Sequence, residues 1–263
     1  MMKNFKALIV LSAFIAVFAA CKKVNQIEEV AQPSVKAVND QFADVRMCTQ
    51  VYPLGTTPRG ATIKTLQWEP GTKLKVSLNG GSSYIRNKVI QFASEWEKYA
   101  NIDFQFVTND NTAPIRVTFT SNGSSWSYLG KDALGISSTN PTMNFGWFTD
   151  STTDTEFSRT TIHEFGHALG MIHEQQHPLA NIPWNKPKVY EYYAATQGWN
   201  KAQVDNNLLN LVPAEQTNFN AYDKFSIMHY AVDSSLTIGG YSVGWNTTLS
   251  ATDKSFIASI YPR

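Results

Sequence analysis

What this chain has little of narrows it quickly. Among its 263 residues there are only two cysteines, Cys21 and Cys48, so no disulfide framework carries the fold. Charged residues make up 16% and the formal net charge is +1. With no basic cluster to track phosphates, nucleic acid is not an expected partner. No segment has the composition of disorder, and no repeat of fixed period appears. The apolar run over residues 7–18 is too short to span a bilayer. Histidine is scarce as well, at five residues, and four of the five lie between 163 and 177. What is plentiful is apolar content, 43% with 13% aromatic, enough for one substantial domain or two packed subdomains.

The first segment reads as a leader. Lys3 and Lys6 precede the apolar run, the order of a signal peptide. Phe18-Ala19-Ala20-Cys21 resembles the lipobox of bacterial lipoproteins, in which the cysteine is acylated and becomes the new N-terminus. Residues 1–20 are then the signal, and several acyl chains on Cys21 would hold an exported protein at the cell envelope. The alternative is an ordinary secretory cut near Ala19 or Ala20, which leaves Cys21 able to pair with Cys48. Residues 21–66, polar and interrupted by Pro33, Pro53 and Pro58, read as a tether or pro-segment.

From residue 67 the patterning sharpens. Lys73 to Leu78 alternates like a half-buried strand, and Asn79-Gly80-Gly81 ends it. Ile85, Val89, Phe92, Trp96 and Tyr99 recur at helical spacing, predicting a helix over 83–100. Strands are expected at 102–108, 115–120 and 125–129, with 143–147 as the edge strand. Thr153 and Glu156 have capping-box spacing and open a helix carrying Ile162, Phe165 and Leu169 on one face. A further helix is expected over 187–210. A last one starts at Ser250, with Asp253 at the capping position and Phe256, Ile257 and Ile260 facing inward. Trp68, Trp96 and Trp126 are read as core. The order predicts an α+β chain, a sheet-bearing half followed by a looser one, with the histidines at the join.

At that join stands His163-Glu164-x-x-His167-x-x-Gly170-x-x-His173. Two histidines four apart share one face of a helix, so both imidazoles can reach one zinc at about 2.0–2.1 Å. Glu164 sits beside that face, the placement of a general base for a zinc-activated water. On a straight helix His173 would lie roughly 15 Å along the axis from His163, too far to share a metal. The chain must therefore turn, and Gly170 is the residue type that leaves a helix in the left-handed conformation. Meeting all five positions by chance has a frequency on the order of 10⁻⁵ per chain. His177 is read as a loop histidine rather than a fourth ligand, since a catalytic site keeps a position open.

With Ser226-Ile227-Met228-His229-Tyr230 downstream, the chain from about Gln67 to Arg263 resembles the metzincin zinc endopeptidases. Glu174 directly after the third histidine and Met228-His229-Tyr230 are similar to the astacin family, in a bacterial form. The resemblance implies a two-subdomain catalytic module, 67–170 and 171–263, with one zinc held by His163, His167 and His173. It implies Glu164 as base, Met228 as an apolar floor, and Tyr230 as an extra ligand that swings to stabilise the oxyanion. Glu174 would be structural, pairing with the new N-terminus after activation, and His229 would face away from the metal. The chain departs from the animal members in reading Gln175-Gln176-His177-Pro178 after Glu174, and in lacking their disulfides. A peptide substrate would lie antiparallel to the 143–147 strand. Cys48 has two readings, a pro-segment thiolate closing the open coordination site or a buried inert cysteine. The expected function is peptide-bond hydrolysis. The alternatives are a catalytically silent zinc-bound adhesion module, which would not need Glu164, and a hydrolase of some other bond.

Overall fold

The computed structural model describes Cys48 and residues 62–121 and 124–263. The leader, Cys21 and nearly all of the 21–66 segment lie outside the described residues. Strand β1 (Thr62–Ile63) pairs antiparallel with β7 (Thr217–Asn218), which ties the start of the described chain to the C-terminal half.

The main sheet forms around β2 (Thr72–Asn79), whose Leu74, Val76 and Leu78 are buried. It pairs parallel with β3 (Ile102–Val107) on one side and β4 (Ile115–Thr118) on the other. Beyond β4 come β5 (Trp126–Ser127) and β6 (Met143–Asn144), giving the order β3-β2-β4-β6-β5. The 143–147 stretch is therefore not the edge strand. Met143 and Asn144 pair between β4 and β5, and β5 takes the edge, antiparallel to β6. The reason lies in one side chain. Asn144 receives Thr120 N–H on Oδ1 at 2.9 Å and donates from Nδ2 to the carbonyls of Thr120 and Ser124 at 3.2 and 2.7 Å. That folds the connecting loop back alongside β6.

Helix α1 (Ser83–Ala93) is capped by Ser82 and buries Ile85, Val89 and Ala93. It stops short of the expected residue 100, and Trp96 to Lys98 make a tighter 3-10 turn instead. Trp96 is fully buried there, and its indole N–H must find an acceptor; it donates to Ile162 O at 2.9 Å. That acceptor belongs to α2 (Asp154–Ala168), whose Thr153 cap accepts from Glu156 N–H as the spacing predicts. The Glu156 carboxylate does not complete the capping box, because Arg159, Trp147 and Thr160 all donate to it.

The expected helix over 187–210 is three pieces: α3 (Lys186–Gln197), α4 (Lys201–Val204) and a π-helical turn, Asp205–Leu209. Gly198 takes φ 67° and ends α3 in the left-handed conformation. Asn200 then opens a new helix with a reciprocal box to Gln203. Last comes α5 (Ala251–Ile260), for which Ser250 is the cap and Asp253 the reciprocating third residue. It returns to the sheet half, where Ile257 and Tyr261 join the main core. The Tyr261 hydroxyl donates to Leu169 O at 2.7 Å. Trp68 and Trp96 are core as expected, while Trp126 is only half-buried against Tyr128 on the edge strand. Among the described residues no helix is long and apolar enough to cross a membrane.

Candidate metal centre

Helix α2 delivers His163 and His167 on one face, with their ring centroids 4.8 Å apart. Gly170 has φ 89°, and Met171 N–H reaches back to Gly166 O at 2.9 Å, so the chain reverses immediately. The reversal returns His173 until its Nε2 lies 3.1 Å from His167 Nε2. The ligand atoms of His163, His167, His173 and Cys48 all lie within 4.8 Å of one another, and all four residues are buried.

The donor atoms fit a cation. His163 Nδ1 faces Ile227 O at 2.8 Å and His167 Nδ1 faces Met171 O at 2.7 Å. A ring nitrogen facing a carbonyl carries the proton, which leaves each Nε2 as a lone pair directed inward. His163 Nε2 is buried with no hydrogen-bond partner among the described residues. Burial holds His163 and His173 well below the ordinary histidine range and pushes His167 down to about 4. Neutral imidazoles whose lone pairs converge in a buried space repel one another unless a cation sits between them.

The support beneath them comes from the other half. Met228 is fully buried, and a Cβ added to Gly166 would stand 2.4 Å from its Sδ, so any larger residue there would have to push the methionine aside. Asp253 holds the turn in shape, accepting Ser226 Oγ at 2.6 Å and Ile227 N–H at 2.9 Å.

Glu164 is fully buried and pushed up to about 8 by burial. Its Oε2 accepts from Cys48 Sγ at 3.3 Å, and its Oε1 has no partner among the described residues. Tyr230 lies 4.3 Å from His173, centroid to centroid, and its hydroxyl donates a short hydrogen bond to the Cys48 carbonyl. Cys48 also makes a parallel bridge to Ser125, just ahead of the edge strand β5.

His229 turns away into hydrogen bonds with Tyr222 and its neighbour Tyr230 O, and His177 lies outside the cluster, as read from the sequence. Glu174 lines a separate cavity with Asp223 and Asp253 and, among the described residues, no lysine or arginine. Its Oε1 accepts Asp223 N–H at 2.7 Å, and burial pushes it up to about 8.

The family model for astacin peptidases matches residues 61–261. The chain belongs to the astacin family of zinc peptidases. Two solved structures of myroilysin are similar. One is 59% identical with a TM-score of 0.75, covering 78% of this chain and 99% of that one. The other is 55% identical with a TM-score of 0.64, covering 84% and 93%. High choriolytic enzyme 1, a hatching enzyme zinc-protease from the medaka Oryzias latipes, is 19% identical with a TM-score of 0.53, covering 75% and 95%, and shares the fold. A search among curated proteins gave no match. This astacin-family chain is a zinc-dependent endopeptidase acting on peptide or protein substrates. The silent adhesion module finds no observation in its favour.

The structure also puts residues at the site that the sequence reading passed over. A cleft beside the cluster is lined by Arg159, Trp245 and Asn246, together with His163, Glu164 and, from the 143–147 stretch, Trp147. The Arg159 guanidinium lies 4.5 Å from the Trp245 ring centroid. Arg159, one helical turn before His163, was legible from spacing; Trp245 and Asn246 arrive from a distant loop with no local signal.

Proposed function

We propose that His163, His167 and His173 hold the zinc, that Glu164 is the general base and Tyr230 the oxyanion donor, and that the full chain is latent because Cys48 takes the fourth position. The observation that carries this is the convergence of four buried ligand atoms within 4.8 Å from three separate stretches of chain. When bound, zinc supplies a polarised scissile carbonyl and a lowered pKa for the attacking water. Glu164 then takes the water proton and passes it to the leaving amine; its Oε1, without a partner among the described residues, is the atom available for this. Support for Tyr230 is its existing bond to the Cys48 carbonyl, the same kind of oxygen a scissile peptide presents.

Four protein ligands make a closed site, and three make an open one. The Cys48 segment bridges parallel to Ser125. A substrate adding antiparallel to the β5 edge would run the opposite way, so the segment blocks the cleft without mimicking a cleavable strand. Removal of the 21–66 segment opens the site in this reading, and Glu174, in its acidic cavity, receives the ammonium of the new N-terminus. The 1–20 leader directs export, and acylation of Cys21 anchors the protein at the envelope.

Quenched-peptide hydrolysis tests this with full-length protein, Cys48→Ala and Glu164→Ala. Cys48→Ala should turn over without processing, while Glu164→Ala should stay inactive with zinc bound. A Cys48→Ala protein as silent as its parent, when the processed enzyme is active, sinks the latency; an active Glu164→Ala sinks the base.

A further inference from the structure

The geometry points to Gln175 as a positioning residue for Tyr230, acting on its phenol through the backbone. This rests on Tyr230 being the oxyanion donor. Gln175 lies two residues past His173 in the single turn Glu174–Gln176 and is fully buried. Its Oε1 accepts the Tyr230 N–H at 3.1 Å, and its Nε2 donates to Asn207 O at 3.3 Å. Asn207 belongs to the π-helical turn Asp205–Leu209. Such turns shift the carbonyl register of a helix, so side-chain donors can take the carbonyls it displaces. Gln176 does the same next door, donating from Nε2 to Asn206 O at 2.8 Å and Asn210 O at 3.1 Å. The two glutamines thus lock the loop that carries the third histidine onto a distorted helical turn.

The other side of Tyr230 is held too. His229 Nδ1 lies 2.7 Å from Tyr230 O and must carry the proton, so Nε2 accepts from the Tyr222 hydroxyl at 2.7 Å. Tyr230 is therefore gripped at its N–H and at its C=O by two buried side chains, in a stretch without ladder or helix. A phenol at the end of a long side chain magnifies any rotation of its backbone, and a misplacement of about 1 Å costs about 10²-fold in rate. Gln175 is matched to this task because it presents an acceptor and a donor at once.

The test is a double-mutant cycle in the processed, zinc-loaded enzyme. Gln175→Met, which keeps volume and removes both bonds, should lower kcat by about 10–100-fold, leave KM within about twofold and retain the zinc. In a Tyr230→Phe background the same change should cost less than about threefold, since the group it positions is gone. Binding gives a second readout. A phosphinic peptide, shaped like the tetrahedral state, should weaken in step with kcat, and a hydroxamate peptide should not. Should Gln175→Met fail to fold, Gln175→Asn, polar but too short to span both partners, makes the same test. Equal losses in both backgrounds, or loss of zinc, overturn the inference. If Tyr230→Phe alone leaves kcat unchanged, the oxyanion role itself is wrong; if Tyr230→Phe is costly and Gln175→Met harmless, only the positioning claim falls.

Discussion

The two halves of this protein satisfy their backbones by different means. In the sheet half, β2 lies between two parallel neighbours, and the main core of Leu74, Val76, Phe104, Val117 and Phe165 is apolar and continuous. Along its strands and helices the backbone groups pair with one another, and side chains such as Asn144 and Arg116 are spent on the connecting loops. In the half that follows Gly170, regular ladders are short, and buried and half-buried side chains do that work. Asp253 holds Ser226 and Ile227, Asn246 donates to the carbonyls of Lys224 and Ser226 at 2.9 and 2.8 Å, and Gln175 and Gln176 hold the π turn. The regular half supplies two histidines at a spacing set by the helix itself. The irregular half supplies the third histidine, the methionine floor and Tyr230, each placed by a particular polar side chain. A site split this way combines a rigid scaffold with loops that are only as well placed as their buried hydrogen bonds.

The sharpest way to break the comparison is at the proposed ligand from the irregular half. His173→Ala should lose zinc, measured as metal content per chain, and with it activity by more than about 10³-fold, although His163 and His167 stay paired on α2. Next come two buried substitutions, one on each side. Phe165→Ala removes a fully buried ring stacked edge-on at 5.2 Å against Phe104 and should cost about 3–5 kcal/mol in denaturant unfolding. Asp253→Ala strands several donors instead and should cost about 2–3 kcal/mol. An Asp253→Ala protein as stable as its parent would mean the irregular half does not depend on its polar clamps.

A pH series on metal-free protein sharpens it further. Glu164 and Glu174 are both raised to about 8 by burial. The folded state then binds more protons than the unfolded one, so their effect is stability lost as pH rises from the ordinary carboxylate range through about 8. The buried histidines are neutral in the folded state and shed their remaining protons in the unfolded state just above pH 6.5, which offsets part of this loss. Tm of the metal-free protein should therefore fall by about 5 °C between pH 6.5 and 8.5, and zinc loading, which favours ionised Glu164, should shrink the fall. The smallest effect is expected at the surface. Lys131 pairs with the exposed Glu69 at 3.1 Å, and Lys131→Ala should change stability by less than about 0.5 kcal/mol.

How much could be read without coordinates follows the same division. The caps at Thr153 and Ser250, the inward faces of Ile85 and Ile257, and the break at Gly170 are local signals, set by periodicity and by φ, and they appear where the spacing puts them. The same logic overruns where a local event interrupts a pattern: α1 yields to a 3-10 turn so that Trp96 can reach Ile162 O, and Gly198 cuts the expected 187–210 helix. Alternation misplaces the edge strand at 143–147 because it does not say which strand a loop will fold back beside; Asn144 decides that in three dimensions.

By itself, then, the order of residues set out the proposed metal-binding motif, because His163, Glu164, His167, Gly170 and His173 are tied by helix geometry and one obligatory turn over eleven positions. Tertiary structure alone decided what stands around that motif. Cys48 lies 116 residues from Glu164 along the chain and within 3.3 Å of it in space. Tyr230 reaches the Cys48 carbonyl, Gln175 reaches the Tyr230 amide, and Met228 fits under Gly166. These are pairings of distant segments, with no period or spacing to announce them, and they exist only once the packed core has brought the two halves together.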